Sequence, residues 1–351
     1  MRAPATELSP RRRVAAALVA AGAAVVPALG RSPAAAAAPR GAGTVLALAL
    51  DDASGSVFAG TAAGGLYRSS DGGAHWSAVE GPVARLSVSA VLLDPSDPSA
   101  VCVGTNGAGA FRGDAKEWTA ANSGLTNLFV EGLAADPGPP RTVYAATDGG
   151  VFRSADGART WSEISEGLPE PNATALAVVP SGTVYAGTRR SGIFRLARGG
   201  ARWEAAGAGF GRATVRALAV APGEPAALYA GSEAGLFKST GAGDGWTPVN
   251  AGLTSTSILA LAADPSGGGR LYACTVSGLF RTANGGGTWS EVSTGASGSF
   301  SNAVVAARAP AGTVFVGGDG AVAKSADSGK TWTVVKLPPP APAPEDEEEE
   351  E

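Results

Sequence analysis

The chain has 351 residues, of which 44% are hydrophobic and 17% charged, with a formal net charge of −4, so it can bury a sizeable core and wholesale disorder is excluded. Two cysteines rule out a disulfide framework, and a single histidine, His75, rules out a histidine-rich metal centre. With residues 1–42 and the last seven residues set aside, the remainder carries 21 basic and 23 acidic side chains, which leaves no electrostatic footprint for nucleic acid.

Residues 1–42 hold Arg11, Arg12 and Arg13, an apolar run from Val14 to Leu29, and an alanine run at Ala34–Ala38 that offers A-x-A cleavage sites. This is the pattern of an export signal. The apolar run is shorter than the roughly 20 residues a membrane span needs, and no other segment comes close, so the expected mature protein has no membrane span and is exported, periplasmic or extracellular. The arginine cluster also suits twin-arginine export, although the usual Phe-Leu after the arginines is missing.

From residue 43 to residue 337 a repeat governs the chain. All seven tryptophans fall at one period, Trp76, Trp118, Trp161, Trp203, Trp246, Trp289 and Trp332, at spacings of 42 or 43. Each repeat carries three short apolar runs before its Trp, most legible in the sixth as Ile258–Pro265, Leu271–Thr275 and Gly278–Thr282. β-branched and aromatic runs parted by Gly, Pro, Asp and Ser are strands joined by turns. With the run that begins at each Trp, every repeat supplies four strands, the content of one propeller blade. The sequence therefore predicts an all-β fold: a seven-bladed β-propeller of four-stranded antiparallel blades. Repeat seven contains its own outer strand, Trp332–Lys336, so the ring should close by packing of blade seven on blade one, with no strand exchanged.

A second pattern, Ser/Thr-x-Asp-x-Gly-x-Thr-Trp, lies between the third strand and the Trp. It is clearest at Ser325–Trp332, close at Ser69–Trp76 and Ser154–Trp161, carries Asn284 in the Asp position at Thr282–Trp289, and is degenerate before Trp118, Trp203 and Trp246. An Asp at such a turn can accept bonds from the loop's own N–H groups, Gly permits positive φ, and Trp buries a large ring. Asp71, Asp156, Asn284 and Asp327, with Trp76, Trp161, Trp289 and Trp332, are thus read as structural staples, and His75, in the Thr position of its turn, as a turn residue. Arg68, Arg112, Arg153, Arg195, Lys238, Arg281 and Lys324 recur once per blade in the third strand and are read as scaffold cations. Cys102 and Cys274 fall three blades apart and should be buried free thiols.

What the repeat does not explain gathers in the loops leading into the first strands and those joining second to third strands, which share one face of a propeller. Phe129, Phe210 and Phe300 are the phenylalanines outside the strand template, and Arg85, Asp148, Arg189, Arg190, Arg212 and Glu233 belong to the same loops. Six residues before the Pro that follows each inner strand stand Ser89, Glu131, Thr174, Arg216, Leu259 and Val304, with Leu46 the counterpart in blade one. Glu131 and Arg216 are therefore expected at the mouth of the central channel. The candidate ligand-binding set is Glu131, Arg216, Arg189, Arg190, Phe129, Phe210 and Phe300, since a concave mouth with a few charges and aromatics is the default binding site. No catalytic residue, metal or cofactor is expected.

The Asp-containing turns resemble the Asp-box, or bacterial neuraminidase, repeat across the whole domain, a resemblance that implies the propeller fold. Sialidases of that kind use an arginine triad, a Tyr-Glu nucleophile pair and an Asp acid. This chain does not supply the set: Tyr144, Tyr185, Tyr229 and Tyr272 repeat at one second-strand position, and Tyr67 replaces a third-strand Phe. The VYAGT-like and GLFRS-like strands and the loop phrases Asn122–Thr126 and Asn250–Thr254 also resemble the photosystem II stability and assembly factor family. That resemblance implies a non-enzymatic scaffold that holds a protein or peptide partner, without implying photosynthesis. The alternative is a glycan-binding or glycoside-hydrolysing propeller, in which Glu131, Asp148 or Glu233 would have to pair at about 5–9.5 Å. The expected assembly is a monomer.

The chain ends in a proline-rich spacer and an acidic run, Glu345–Glu351, assigned with it to a tail over residues 338–351. Such a tail is solubilising, or a tether for a cationic partner.

Overall fold

The computed structural model describes residues 41–341 apart from 95–96, 115–116, 139–141, 224–225 and 296–300. The leader, Phe300 and the acidic run lie outside the described residues. Within them, 28 strands form seven four-stranded antiparallel sheets, each built from strands consecutive in the chain. No helix among the described residues is long and apolar enough to cross a membrane.

The inner strands are Val45–Leu50, Val88–Asp94, Val130–Ala135, Ala173–Val178, Val215–Ala221, Ile258–Ala263 and Ala303–Ala306. Each second strand is buried along nearly its whole length, as in Val143–Thr147, Val184–Thr188 and Leu271–Thr275. Burial on both faces is why these runs read as continuously apolar. The core lies between the blades: one cluster joins Tyr185 and Ile193 of blade four to Val215, Leu218 and Trp246 of blade five.

Small residues set the spacing of neighbouring blades. A Cβ added at Gly187 would lie 2.4 Å from Val215 Cγ1, at Gly104 2.5 Å from Val130 Cγ1, and at Gly60 2.6 Å from Val88 Cγ1. Each of these glycines sits in a second strand and receives the β-branched residue that opens the next blade's inner strand. The ring closes on the same contact, with Gly317 of blade seven 2.4 Å, by its hypothetical Cβ, from Val45 Cγ1 of blade one. Thr44 Oγ1 donates to Asp319 Oδ1 at 2.7 Å across this seam, and Gly320 N donates to Gly43 O at 3.0 Å. Blade seven keeps its own outer strand, Thr333–Lys336, and blade one its own, Ser77–Ala78.

The Asp-containing turns close on themselves. Asp156 Oδ1 accepts from the amides of Arg159 and Thr160, and Asp327 Oδ1 from those of Lys330 and Thr331. Asp71 accepts from the Ala74 and His75 amides and meets His75 Nδ1 at 2.6 Å, while Asn284 Oδ1 accepts from the Thr288 amide. These bonds to loop amides and hydroxyls hold the Asp71, Asp156 and Asp327 carboxyls well below the usual carboxylate range. The third-strand cations reach the following blade: Arg195 pairs with Asp244 at 2.6 Å, Lys238 donates to Gly285 O, and Arg281 donates to Ser328 O. Trp118, Trp161, Trp203, Trp246 and Trp289 are buried, whereas Trp76 and Trp332 are only half-buried.

Candidate functional site

The mouth of the channel is shaped by a β-bulge. In blades one to six the pairing of inner and second strands slips by one residue near the start of the inner strand. The extra residue is Leu46, Ser89, Glu131, Thr174, Arg216 or Leu259, and a bulge re-aims its side chain out of the alternating pattern. Blade seven departs from the sequence-based placement. Ala303 pairs with Gly317 and Val304 with Val316, so the residue at the mouth is Asn302, whose amide donates to Gly317 O, and Val304 is buried. Pro310 lies four residues after the end of its strand, where the corresponding prolines lie one or two after theirs, which shifts any count made from it.

A second ring surrounds the first. Each second strand except that of blade seven ends in Thr or Ser, whose hydroxyl donates to a carbonyl across the turn, as Thr147 does to Gly150 and Thr188 to Gly192. The residue that follows stands at the tip: Ala62, Asn106, Asp148, Arg189, Glu233, Val276 and Asp319 in blades one to seven. Charges from the two rings meet over blades three to five; at the same positions blade one has the half-buried Leu46 and the exposed Ala62, and blade six the exposed Val276, while Leu259 is buried in the core.

Arg189 organises the charged arc. Its guanidinium lies 3.1 Å from Asp148 Oδ1 and 3.8 Å from Glu131 Oε1, both in blade three. Its backbone is fixed by the amide, which donates to Asn172 O, and by its carbonyl, which accepts from Thr214 Oγ1. Glu131 is 15% exposed at the side chain. Burial, with Asp148 nearby and against the pull of Arg189, pushes its carboxyl up to about 7. Arg216, 11% exposed at the side chain, pairs with Glu233 at 2.6 Å, and its Nε is buried with no hydrogen-bond partner among the described residues. Arg190 and Arg212 are exposed.

The three phenylalanines fare differently. Phe129 is 36% exposed, its carbonyl accepts from the Asp148 amide at 3.2 Å, and it lies beside the equally exposed Leu128. Phe210 does not line the face: it is 4% exposed and packs on Phe237 and Trp246, with ring centroids 4.7 Å and 6.1 Å away. It lies in the same kind of loop as Phe129, and the loop sequence alone does not tell an inward ring from an outward one. Phe300 lies outside the described residues. Sequence reading missed Leu128 and Asp319 as face residues, as well as the contact of Arg85, whose Nε donates to the carbonyl of the buried Ala341. Ala341, assigned above to the tail, therefore lies against Arg85.

The arrangement offers paired charges and an exposed apolar lip. All five tyrosines are buried, Tyr185 and Tyr229 donating to Ala242 O and Gly285 O of the next blade, so none stands at the mouth. Among the described residues no group of three or more His, Cys, Asp or Glu is placed to hold a metal ion.

No protein-family model matches the chain, and no curated protein matches it. Solved structures do. A GH74 enzyme from Niastella koreensis superposes with a TM-score of 0.68 at 18% identity, over 83% of this chain and 54% of that one. A GH74 xyloglucanase from Xanthomonas campestris gives 0.60 at 23% identity, over 74% of this chain and 46% of that one. YCF48 bound to D1 peptide gives 0.60 at 14% identity, over 91% of this chain and 100% of that one. The chain thus spans about half the length of the two GH74 chains and the whole of YCF48, and at these identities the likeness is one of fold.

Proposed function

We propose that this protein is an exported, non-catalytic β-propeller scaffold that binds a protein or peptide partner on the face holding Glu131, Arg189 and Arg216. The observation that carries the reading is the mouth itself. Carboxylates and guanidinium groups alternate over three successive blades, beside an exposed Leu128–Phe129 lip. Such a surface offers both signs of charge and apolar contact to a polypeptide, and it carries no exposed Trp or Tyr platform for a sugar ring. Full-length likeness to a propeller solved with a peptide supports the reading. Export is inferred from the arginine cluster and apolar run of residues 11–38.

A second reading rests on Glu131 and Asp148. A buried carboxyl raised to about 7 beside a second carboxyl is the arrangement of a glycosidase acid and its partner, and the GH74 likeness fits it. Against it, the Arg189 guanidinium lies within ion-pair distance of both carboxylates.

The test is panning of a random peptide library on the full chain, followed by affinity measurements on the selected peptides with the parent and with an Arg190→Ala, Arg216→Ala double variant. Peptides that bind the parent and lose about tenfold or more on the variant support the scaffold. Failure to select any peptide, joined by release of reducing sugar from xyloglucan that Glu131→Gln abolishes, overturns it in favour of hydrolysis.

A further inference from the structure

The bulge position has a structural solution in the neighbouring blades. Ser89 Oγ donates to Val130 O and Thr174 Oγ1 to Val215 O, each hydroxyl fastening its blade to the next. Glu131 holds the same position in blade three. An ionised carboxylate has no proton to donate, so that fastening is given up. The carboxylate is nevertheless largely buried, and its nearest cation, Arg189, lies 3.8 Å away while standing closer, at 3.1 Å, to Asp148. Two carboxylates thus share one guanidinium. A buried carboxylate with so little compensation costs stability, and its raised protonation range reflects that.

Beside this pair lies an exposed apolar surface. Leu128 and Phe129 are two of the four large hydrophobic residues exposed among the described residues. They are held in place: the Leu128 carbonyl accepts from the Gly107 and Gly109 amides, Phe129 N donates to Asn127 Oδ1, and the Phe129 carbonyl accepts from the Asp148 amide. The Phe129 ring lies toward Gly107 of blade two and the two carboxylates toward Arg189 of blade four, with the Phe129 carbonyl and the Asp148 amide bonded between them, so an apolar surface and a carboxylate pair adjoin on one loop cluster, which suits a cation on an apolar stem.

We propose that Leu128, Phe129, Glu131 and Asp148 form a subsite for a lysine or arginine side chain of the bound polypeptide. The incoming cation takes over from Arg189 as the partner of Glu131, and its stem lies on Phe129. Arg189, itself 31% exposed at the side chain, keeps solvent as its alternative. The neighbouring Arg190 is exposed and makes no ion pair among the described residues. This rests on the peptide-binding reading above and adds to it the identity of one anchoring side chain.

The same random peptide library, panned on the full chain, on Glu131→Gln and on Asp148→Asn, tests it. Asp148 is 38% exposed at the side chain, so its variant keeps the fold if the buried substitution does not. A third variant, Glu131→Thr, places the hydroxyl of Ser89 and Thr174 at this position and serves as a folded control. The expected result is enrichment of Lys or Arg among peptides selected on the parent, with those peptides binding each variant about tenfold or more weakly. Peptides selected without basic enrichment, or with a basic preference that the substitutions leave intact, overturn the subsite while leaving the scaffold reading standing. Selection of no peptide at all overturns both.

Discussion

The indole nitrogen of Trp161 donates to the carbonyl of Ala121, 2.8 Å away and 40 residues earlier in the chain. Trp203, Trp246 and Trp289 repeat the bond to Ile164, Ala206 and Val249. The period seen in sequence is therefore also a period of blade-to-blade fastening. It has gaps: Trp76 Nε1 and Trp118 Nε1 are buried without a partner among the described residues, and Trp332 Nε1 turns to Gly329 of its own loop at 3.3 Å.

Replacing Trp161 by Phe keeps most of the apolar area and leaves the Ala121 carbonyl without its donor, and should cost about 1–2 kcal/mol. The same change at Trp118, whose Nε1 has no partner, should cost less. Urea denaturation of the two variants checks the order, and equal losses would show that the bond contributes nothing.

Phe210 belongs to the core, so Phe210→Ala should destabilise by about 3–5 kcal/mol, as other large buried truncations do. Phe129→Ala, at an exposed ring, should leave the denaturation midpoint nearly unchanged. Selected peptides should distinguish the two in the opposite sense, with Phe129→Ala weakening binding.

Glu131 should make stability fall as pH rises. Its folded pKa of about 7 lies above the unfolded value, so the folded state holds a proton that the unfolded chain releases. No penalty exists below about pH 4.5; it grows between there and about pH 7, reaching on the order of 2 kcal/mol, with Asp148 and Arg189 as the charges facing the group. Glu131→Gln removes it, so the variant should gain on the parent across that window. Denaturation midpoints of both proteins at pH 4.5 and 7.5 measure the gain, and a pH-independent difference would contradict the burial of this carboxylate.

The turn aspartates act with the opposite sign. Asp156 is held ionised by the Thr160 hydroxyl and by loop amides, so its contribution is present above the normal carboxylate range and is lost on acidification. Asn284 accepts from the Thr288 amide in the same way, so Asp156→Asn should be milder than Asp156→Ala at pH 7. A ranking of melting temperatures in the reverse order would remove the turn amides from the account.

Cys102 and Cys274 are buried, and burial pushes the Cys102 thiol up to about 12 and that of Cys274 higher still. Neither should react with a thiol reagent until the chain unfolds, which mass spectrometry after timed labelling would show.

The amino-acid sequence by itself determined the number of blades and the four strands in each. Both follow from local alternation, turn residues and a period set by Trp76 to Trp332. It also brought Glu131, Arg189 and Arg216 to one face, because second-strand turns and inner-strand starts always share a side in this fold. Tertiary structure decided the rest. Whether a loop phenylalanine points inward, as Phe210 does, or outward, as Phe129 does, depends on space left by residues such as Phe237 and Trp246. Which residue of blade seven reaches the mouth depended on the pairing of Ala303 with Gly317, which no count from Pro310 supplies. The sharing of Arg189 between Asp148 and Glu131 joins residues 41 and more positions apart, and the packing of blade four on blade three, which no single repeat contains, sets those distances.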